Sequence, residues 1–229
     1  SSSTQAINVR LNPKLAYDLV KDFVAVSPLA TSPSVLVVHP SLPVKSVKEV
    51  IALAKAKPGE LTYASSGSGS TAHLAAELFK MSAGIDLVHI PYKGAGPALT
   101  DLLGGHVQLM FGFTAGALPF IKSGRLRPLA VTSERRLNDM PDLPTMREAG
   151  IKGYEVSVWY GIMAPAATPK DIVTRLNLET SKAARDLSVR FTELGAYPLQ
   201  STPEQFTAFI REEIAKWAVV VKRSKARVD

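Results

Sequence analysis

Cysteine is absent from the 229 residues, which excludes disulfides, thiolate nucleophiles and Cys-ligated metals. No apolar run reaches the length needed to cross a bilayer. The longest, such as Val35 to Val38 and Ala218 to Val221, are strand-sized or helix-sized pieces of core. Histidine is scarce: His39, His73, His89 and His106 are the only four. No pair has His-x-x-x-His spacing and no carboxylate cluster accompanies them, so no metal is expected. A Gly-x-Ser-x-Gly elbow and the Gly-Lys-Ser/Thr end of a phosphate loop are also missing, which removes two common enzyme templates. The sequence opens on Ser1 rather than Met and no leader-like stretch is read at its start, so a processed, trimmed or partial product is expected.

What is present is an ordinary globular balance, 46% hydrophobic and 21% charged, enough for one large or two small domains with real cores. The formal net charge is +7, compatible with nucleic acid, an anionic surface or an anionic ligand. The basic residues are scattered, with one dense run at Lys222, Arg223, Lys225 and Arg227. That run reads as a solvated helix end, where cations suit the dipole. Without aromatic-basic interleaving, no nucleic-acid partner is expected.

Along the chain, strand, loop and helix alternate. Ser46 and Glu49 form a capping box for a helix over 46–57, whose apolar face is Val47, Val50, Ile51 and Ala54 and which Pro58-Gly59 ends. Leu61 to Ala64 is a short strand, followed by the loop Ser65-Ser66-Gly67-Ser68-Gly69 and a helix from Ser70 or Thr71 to Gly84. The rhythm repeats with a strand from Leu87 to Tyr92, a loop Lys93-Gly94-Ala95-Gly96 and a helix opened by Pro97. It repeats again with a strand from Val107 to Phe111, a loop from Thr114 to Gly116, a helix to Ser123 and a strand from Leu129 to Thr132. This alternation predicts an α/β fold with a mostly parallel sheet covered by helices. Two extended stretches stand outside it, 34–39 between Pro33 and Pro40, and 155–164 around Trp159. Beyond them come helices capped by Thr168-Pro169 and by Thr202-Pro203 with Gln205. The expectation is an inserted lobe: lobe one from 1–38 and 162–229, lobe two from 39–161, joined by two crossing strands that form a natural hinge.

The segment Ser65-Ser66-Gly67-Ser68-Gly69-Ser70-Thr71 is the most informative for function. It lies between a strand and a helix start, where parallel α/β sheets bind ligands. Its glycines admit close backbone approach, and N–H groups at the helix start favour an anion. Its hydroxyls add neutral donors, so a carboxylate or phosphate is held without a cationic side chain. A solvent-exposed turn that only caps the helix is the competing reading. Lys93 and Gly94 form a second candidate wall, and Thr114 begins a weaker third. His73 stands in the first turn after the loop, facing a ligand or partly exposed, whereas His89 reads as strand packing. Trp159 lies on the returning crossover, as a cleft wall, an interlobe packing residue or both. No histidine and acid pair is placed to complete a hydrolytic triad with these serines, so no catalytic residue is expected.

Several segments in order resemble one family. They are Pro33-Ser34-Val35-Leu36-Val37-Val38-His39-Pro40, Leu61 through Leu74, His89-Ile90-Pro91-Tyr92-Lys93-Gly94 and Ala98 through Gly105. Leu143-Pro144-Thr145, Trp159-Tyr160-Gly161 and Ala164-Pro165 continue the series. Together they are similar to the Bug/TctC solute-binding receptors. The resemblance implies a type II periplasmic-binding-protein-like fold, two lobes with a cleft, and a periplasmic receptor for a small carboxylate. The partners it implies are membrane transporter subunits of the tripartite tricarboxylate type or a sensor kinase. It also implies ligand loops at Ser65–Thr71 and at Ser3 and Thr4.

The family carries further residues at the front, so an incomplete N-terminal lobe is expected here. It often has an Asp-Asn pair where this chain has Gly112-Phe113, which implies a lost polar contact or a less polar ligand. The expected mechanism is capture of the solute by lobe closure, in a monomer without cofactor. Two rivals stay open at this point: an effector-sensing domain of a regulator, and an enzyme acting on a carboxylated substrate.

Overall fold

The computed structural model describes residues 3–12, 14–193 and 195–224. Lys225 and Arg227, noted above, lie outside them. In chain order the elements are α1 (Ser3–Leu11), β1 (Phe23–Val38), α2 (Val47–Ala56), β2 (Thr62–Ser65), α3 (Thr71–Ala83), β3 (Val88–Pro91), α4 (Ala95–Leu103), β4 (Leu109–Phe113), α5 (Thr114–Lys122), β5 (Arg127–Val131), β6 (Ser157–Pro165), α6 (Lys170–Asp186), α7 (Ser188–Glu193), β7 (Tyr197–Pro198) and α8 (Pro203–Ser224). The chain forms two compact units, Ser1–Ser32 with Val158–Asp229, and Pro33–Ser157. The crossovers expected at 38/39 and 161/162 therefore fall at Ser32/Pro33 and Ser157/Val158. The reason is β1, which is longer than the apolar run that revealed it. It continues through Pro33 and Pro28 back to Phe23, because proline's fixed φ suits an extended chain wherever the ladder does not need its N–H.

The Pro33–Ser157 unit is an α/β layer with strand order β3-β2-β4-β1-β5. β2 pairs in parallel with both β3 and β4. The apolar half of β1 runs antiparallel to β4 and β5 between them. Four strands thus share one direction and β1 alone opposes them. Val35, Val37, Ala64, Met110 and Leu102 form the core on one side of this sheet. The helix ends follow local chemistry. Ser46 Oγ accepts the Glu49 N–H at 3.2 Å, while the Glu49 carboxylate accepts the N–H of Lys45 at 2.8 Å. α3 starts at Ser70 and stops at Gly84, whose φ of +62° closes the helix in the left-handed region.

In the other unit, β6 and β7 pair with β1. Its core joins Trp159, Phe206, Ile210 and Ile214 with Ala6 of α1. Thr202 and Gln205 bond reciprocally, N–H to side chain in each direction, and so cap α8. Thr168 does not cap α6: Pro169 occupies that position and no side chain bonds the helix start. Among the described residues, no helix is long and apolar enough to cross a membrane.

Candidate functional site

The parallel register of β2 and β3 sets Ser65 opposite Pro91, so the loops that leave these strands emerge side by side. β4 lies on the other flank of β2 and runs directly into α5 at the same edge. This is the carboxyl edge of three parallel strands, the place where open α/β sheets receive ligands. The structure brings Ser65–Thr71, His73, Lys93, Gly94 and Thr114 to that edge of one unit.

The Ser65–Thr71 loop is built largely from its own hydrogen bonds. Gly67 N–H donates to Ser65 Oγ at 3.1 Å, and Ser70 N–H to Gly67 O at 3.1 Å. Gly69 N–H donates to His73 Nδ1 at 3.0 Å. Ser70 caps α3 by accepting the His73 N–H. Gly67 sits at φ +130° and Gly69 at +77°, conformations open to glycine and strained for other residues. A Cβ on Gly67 would stand 3.3 Å from Tyr92 O, so this loop packs tightly on the turn after β3.

Several N–H groups expected to be available are thus already used. The hydroxyls of Ser66 and Ser68 remain, half-buried and without a hydrogen bond among the described residues. The N–H of Ala72, second in α3, has no acceptor within its own helix. An anion at this edge would meet two neutral hydroxyls and the positive end of a thirteen-residue helix. Lys93 is exposed beside Gly94, which holds φ +115° at the start of α4.

Other expected residues are placed differently. Thr114 is the first residue of α5 rather than part of a loop, and its buried hydroxyl donates to Pro33 O at 2.8 Å. Ser3 and Thr4 lie in helix α1, not in a loop, and Ser3 is fully buried. Trp159 is 1% exposed, inside the core of its own unit, with its indole N–H on Glu213 Oε2 at 3.2 Å. It presents no ring surface to a solute, and packing is its role.

Sequence reasoning missed His89. Its Nε2 lies 2.6 Å from Ser65 Oγ, and its ring stacks between those of Tyr63 and His73. The signal was register: Tyr63 and His89 are direct neighbours across two parallel strands. Behind them Tyr63 donates to Glu77 at 2.7 Å, and Lys80 donates to the same carboxylate at 3.0 Å. Burial, with the Glu77 charge beside it, raises the Tyr63 hydroxyl far above its ordinary value. Tyr92 is pushed up to about 12 by desolvation and then by its bond to Asp101. No group of three His, Cys, Asp or Glu suited to a metal ion occurs among the described residues.

Residues 1–225 match the tripartite tricarboxylate transporter family receptor. The chain belongs to this family. Its members are periplasmic solute-binding receptors of the Bug/TctC type, not enzymes. Protein BugT of Bordetella pertussis (strain Tohama I) is 40% identical over 230 residues, covering all of this chain and 71% of BugT. Among solved structures, R. palustris Rpa4515 with adipate superposes with a TM-score of 0.86 at 37% identity, over all of this chain and 78% of that one. MatC of Rhodopseudomonas palustris with bound malate gives 0.81 at 32% identity, over 96% of this chain and 77% of that one. The fold of the receptor family, type II periplasmic-binding-protein-like α/β, is therefore the fold of this chain. The chain spans 63% to 71% of the length of the first curated relatives it matches.

Proposed function

We propose that this chain takes up a small carboxylate-bearing solute in the periplasm and presents it to a tripartite tricarboxylate-type transporter. The observation that carries the reading is the Ser65–Thr71 loop. It places the uncommitted hydroxyls of Ser66 and Ser68 and the N-terminus of α3 at one sheet edge. That donor set matches a carboxylate, which only accepts hydrogen bonds. Two structural relatives of this family hold dicarboxylates, adipate in one and malate in the other. The net charge of +7 favours encounter with an anion. Gly112 and Phe113 occupy strand positions in β4 opposite Val35 and Ser34. They add no polar side chain to the edge, which favours a solute with an apolar middle, such as an aliphatic dicarboxylate.

The test is calorimetric titration with adipate, malate, citrate and glutamate, on the native chain and on the double variant Ser66→Ala/Ser68→Ala. A hydrogen bond to a charged group contributes about 1.5–3 kcal/mol, so loss of two is expected to weaken binding by at least roughly a hundredfold. Equal affinity in the two proteins would remove the loop from the site.

A further inference from the structure

Three rings stand in a row behind the loop. Tyr63 of β2 and His89 of β3 stack with centroids 4.9 Å apart at 17°. His89 and His73 of α3 stack at 3.9 Å and 7°. Each imidazole also grips the loop, His89 through Ser65 Oγ and His73 through the Gly69 N–H. Ser65 Oγ in turn accepts the Gly67 N–H, so the two rings fix the two glycines with positive φ.

We propose that His73 and His89 are positioning residues for the Ser65–Thr71 loop and hold its shape only as an uncharged pair. The consequence for ligand affinity rests on the receptor reading of that loop; the effect on loop shape stands apart from it. Nδ1 of His73 accepts from Gly69 only while it carries no proton. An imidazolium donates from both nitrogens, so protonating His73 sets one N–H against another. Two charged rings at 3.9 Å would also repel, so a charge on one ring disfavours a charge on the other.

The acidic groups near the stack have partners of their own. Glu77 of α3 is engaged by Tyr63 and Lys80, and Lys80 also lies 3.7 Å from Asp86. The Lys80 ammonium stands 6.0 Å from the centre of the Tyr63 ring, a cation at the stack rather than an anion. On α4, Asp101 is held by Tyr92. The segment before β6 contributes Tyr154, which donates to Ala75 O on α3. β4 (Leu109–Phe113) brings no titratable side chain.

The experiment follows the Gly69 amide and the imidazole nitrogens of the 15N-labelled, ligand-free chain by NMR, from about pH 8 to about pH 5, across the range in which histidine changes charge. The expected result is an upfield movement of the Gly69 amide proton in step with protonation of the stacked rings. In His73→Asn, Oδ1 takes the acceptor's place and cannot titrate, so the amide is expected to stay still. His89→Gln is expected to blunt the wild-type movement by removing one charge from the pair. A Gly69 amide that ignores imidazole titration, or that moves equally in His73→Asn, would overturn the proposal. Adipate and malate titrations over the same range carry the second arm. Affinity is expected to fall roughly fivefold on acidification, the size of one net hydrogen bond, and not to fall in His73→Asn. If the amide titrates but neither solute binds at any pH, the positioning pair stands and the receptor reading fails.

Discussion

Two indole N–H groups converge on one carboxylate oxygen. Trp159 and Trp217 donate to Glu213 Oε2 at 3.2 and 3.1 Å, and Lys216 pairs with the other oxygen. Glu213 is 5% exposed. Glu213→Ala leaves both buried donors without an acceptor and is expected to lower stability by about 2–4 kcal/mol, with Glu213→Gln milder. Urea unfolding followed by tryptophan fluorescence checks this, since these are the only two tryptophans and both belong to the same unit.

Glu148 shows the opposite, solvent-facing situation. The Thr145 N–H and then the Arg136 guanidinium hold its carboxyl below the usual range. A lowered value means that the folded chain binds this proton less readily than the unfolded one. Its contribution is complete above the ordinary carboxylate range, near pH 4.3, and is lost as pH falls through the folded value. Unfolding measured between about pH 3 and about pH 6 is expected to show a shallower acid limb in Glu148→Gln. Such short-range features are legible in sequence: Ser46 with Glu49, and Thr202 with Gln205, lie three residues apart and cap as read. His89 was not legible, because Ser65 lies 24 residues away and only strand register joins them.

At the scale of elements, the loop after β2 depends on glycine. In Gly67→Ala the new methyl meets Tyr92 O at 3.3 Å from a backbone at φ +130°. The strain, about 1–3 kcal/mol, is expected to reshape the loop and abolish carboxylate binding. Circular dichroism should stay native while calorimetry shows no heat of binding; unchanged affinity would mean that the loop tolerates a side chain there. The alternation of strands and helices from β2 to β5 was legible because each apolar run is short and each helix between them stops at or beside a glycine, Gly84, Gly104 and Gly124. β1 was not, because Pro28 and Pro33 look like boundaries and are strand residues. Helix α1 was missed because its buried face is Ser3, Ala6, Ile7 and Leu11, only two of them large and apolar.

At the scale of the molecule, the two extended stretches that interrupt the rhythm are what suggested an inserted lobe, and the compact units divide at Ser32/Pro33 and Ser157/Val158. The boundaries shifted because β1 serves both units, its first half pairing with β7 and its second half with β4 and β5. Membership of the receptor family and an anion-ready sheet edge support the same account, that of carboxylate capture rather than catalysis. The most direct test is titration of the native chain with adipate and malate in a calorimeter. The account predicts saturable binding of a dicarboxylate at one site per chain, with a matching rise in melting temperature because the solute binds only the folded state. No heat with any small carboxylate, from a chain that melts cooperatively, would contradict it.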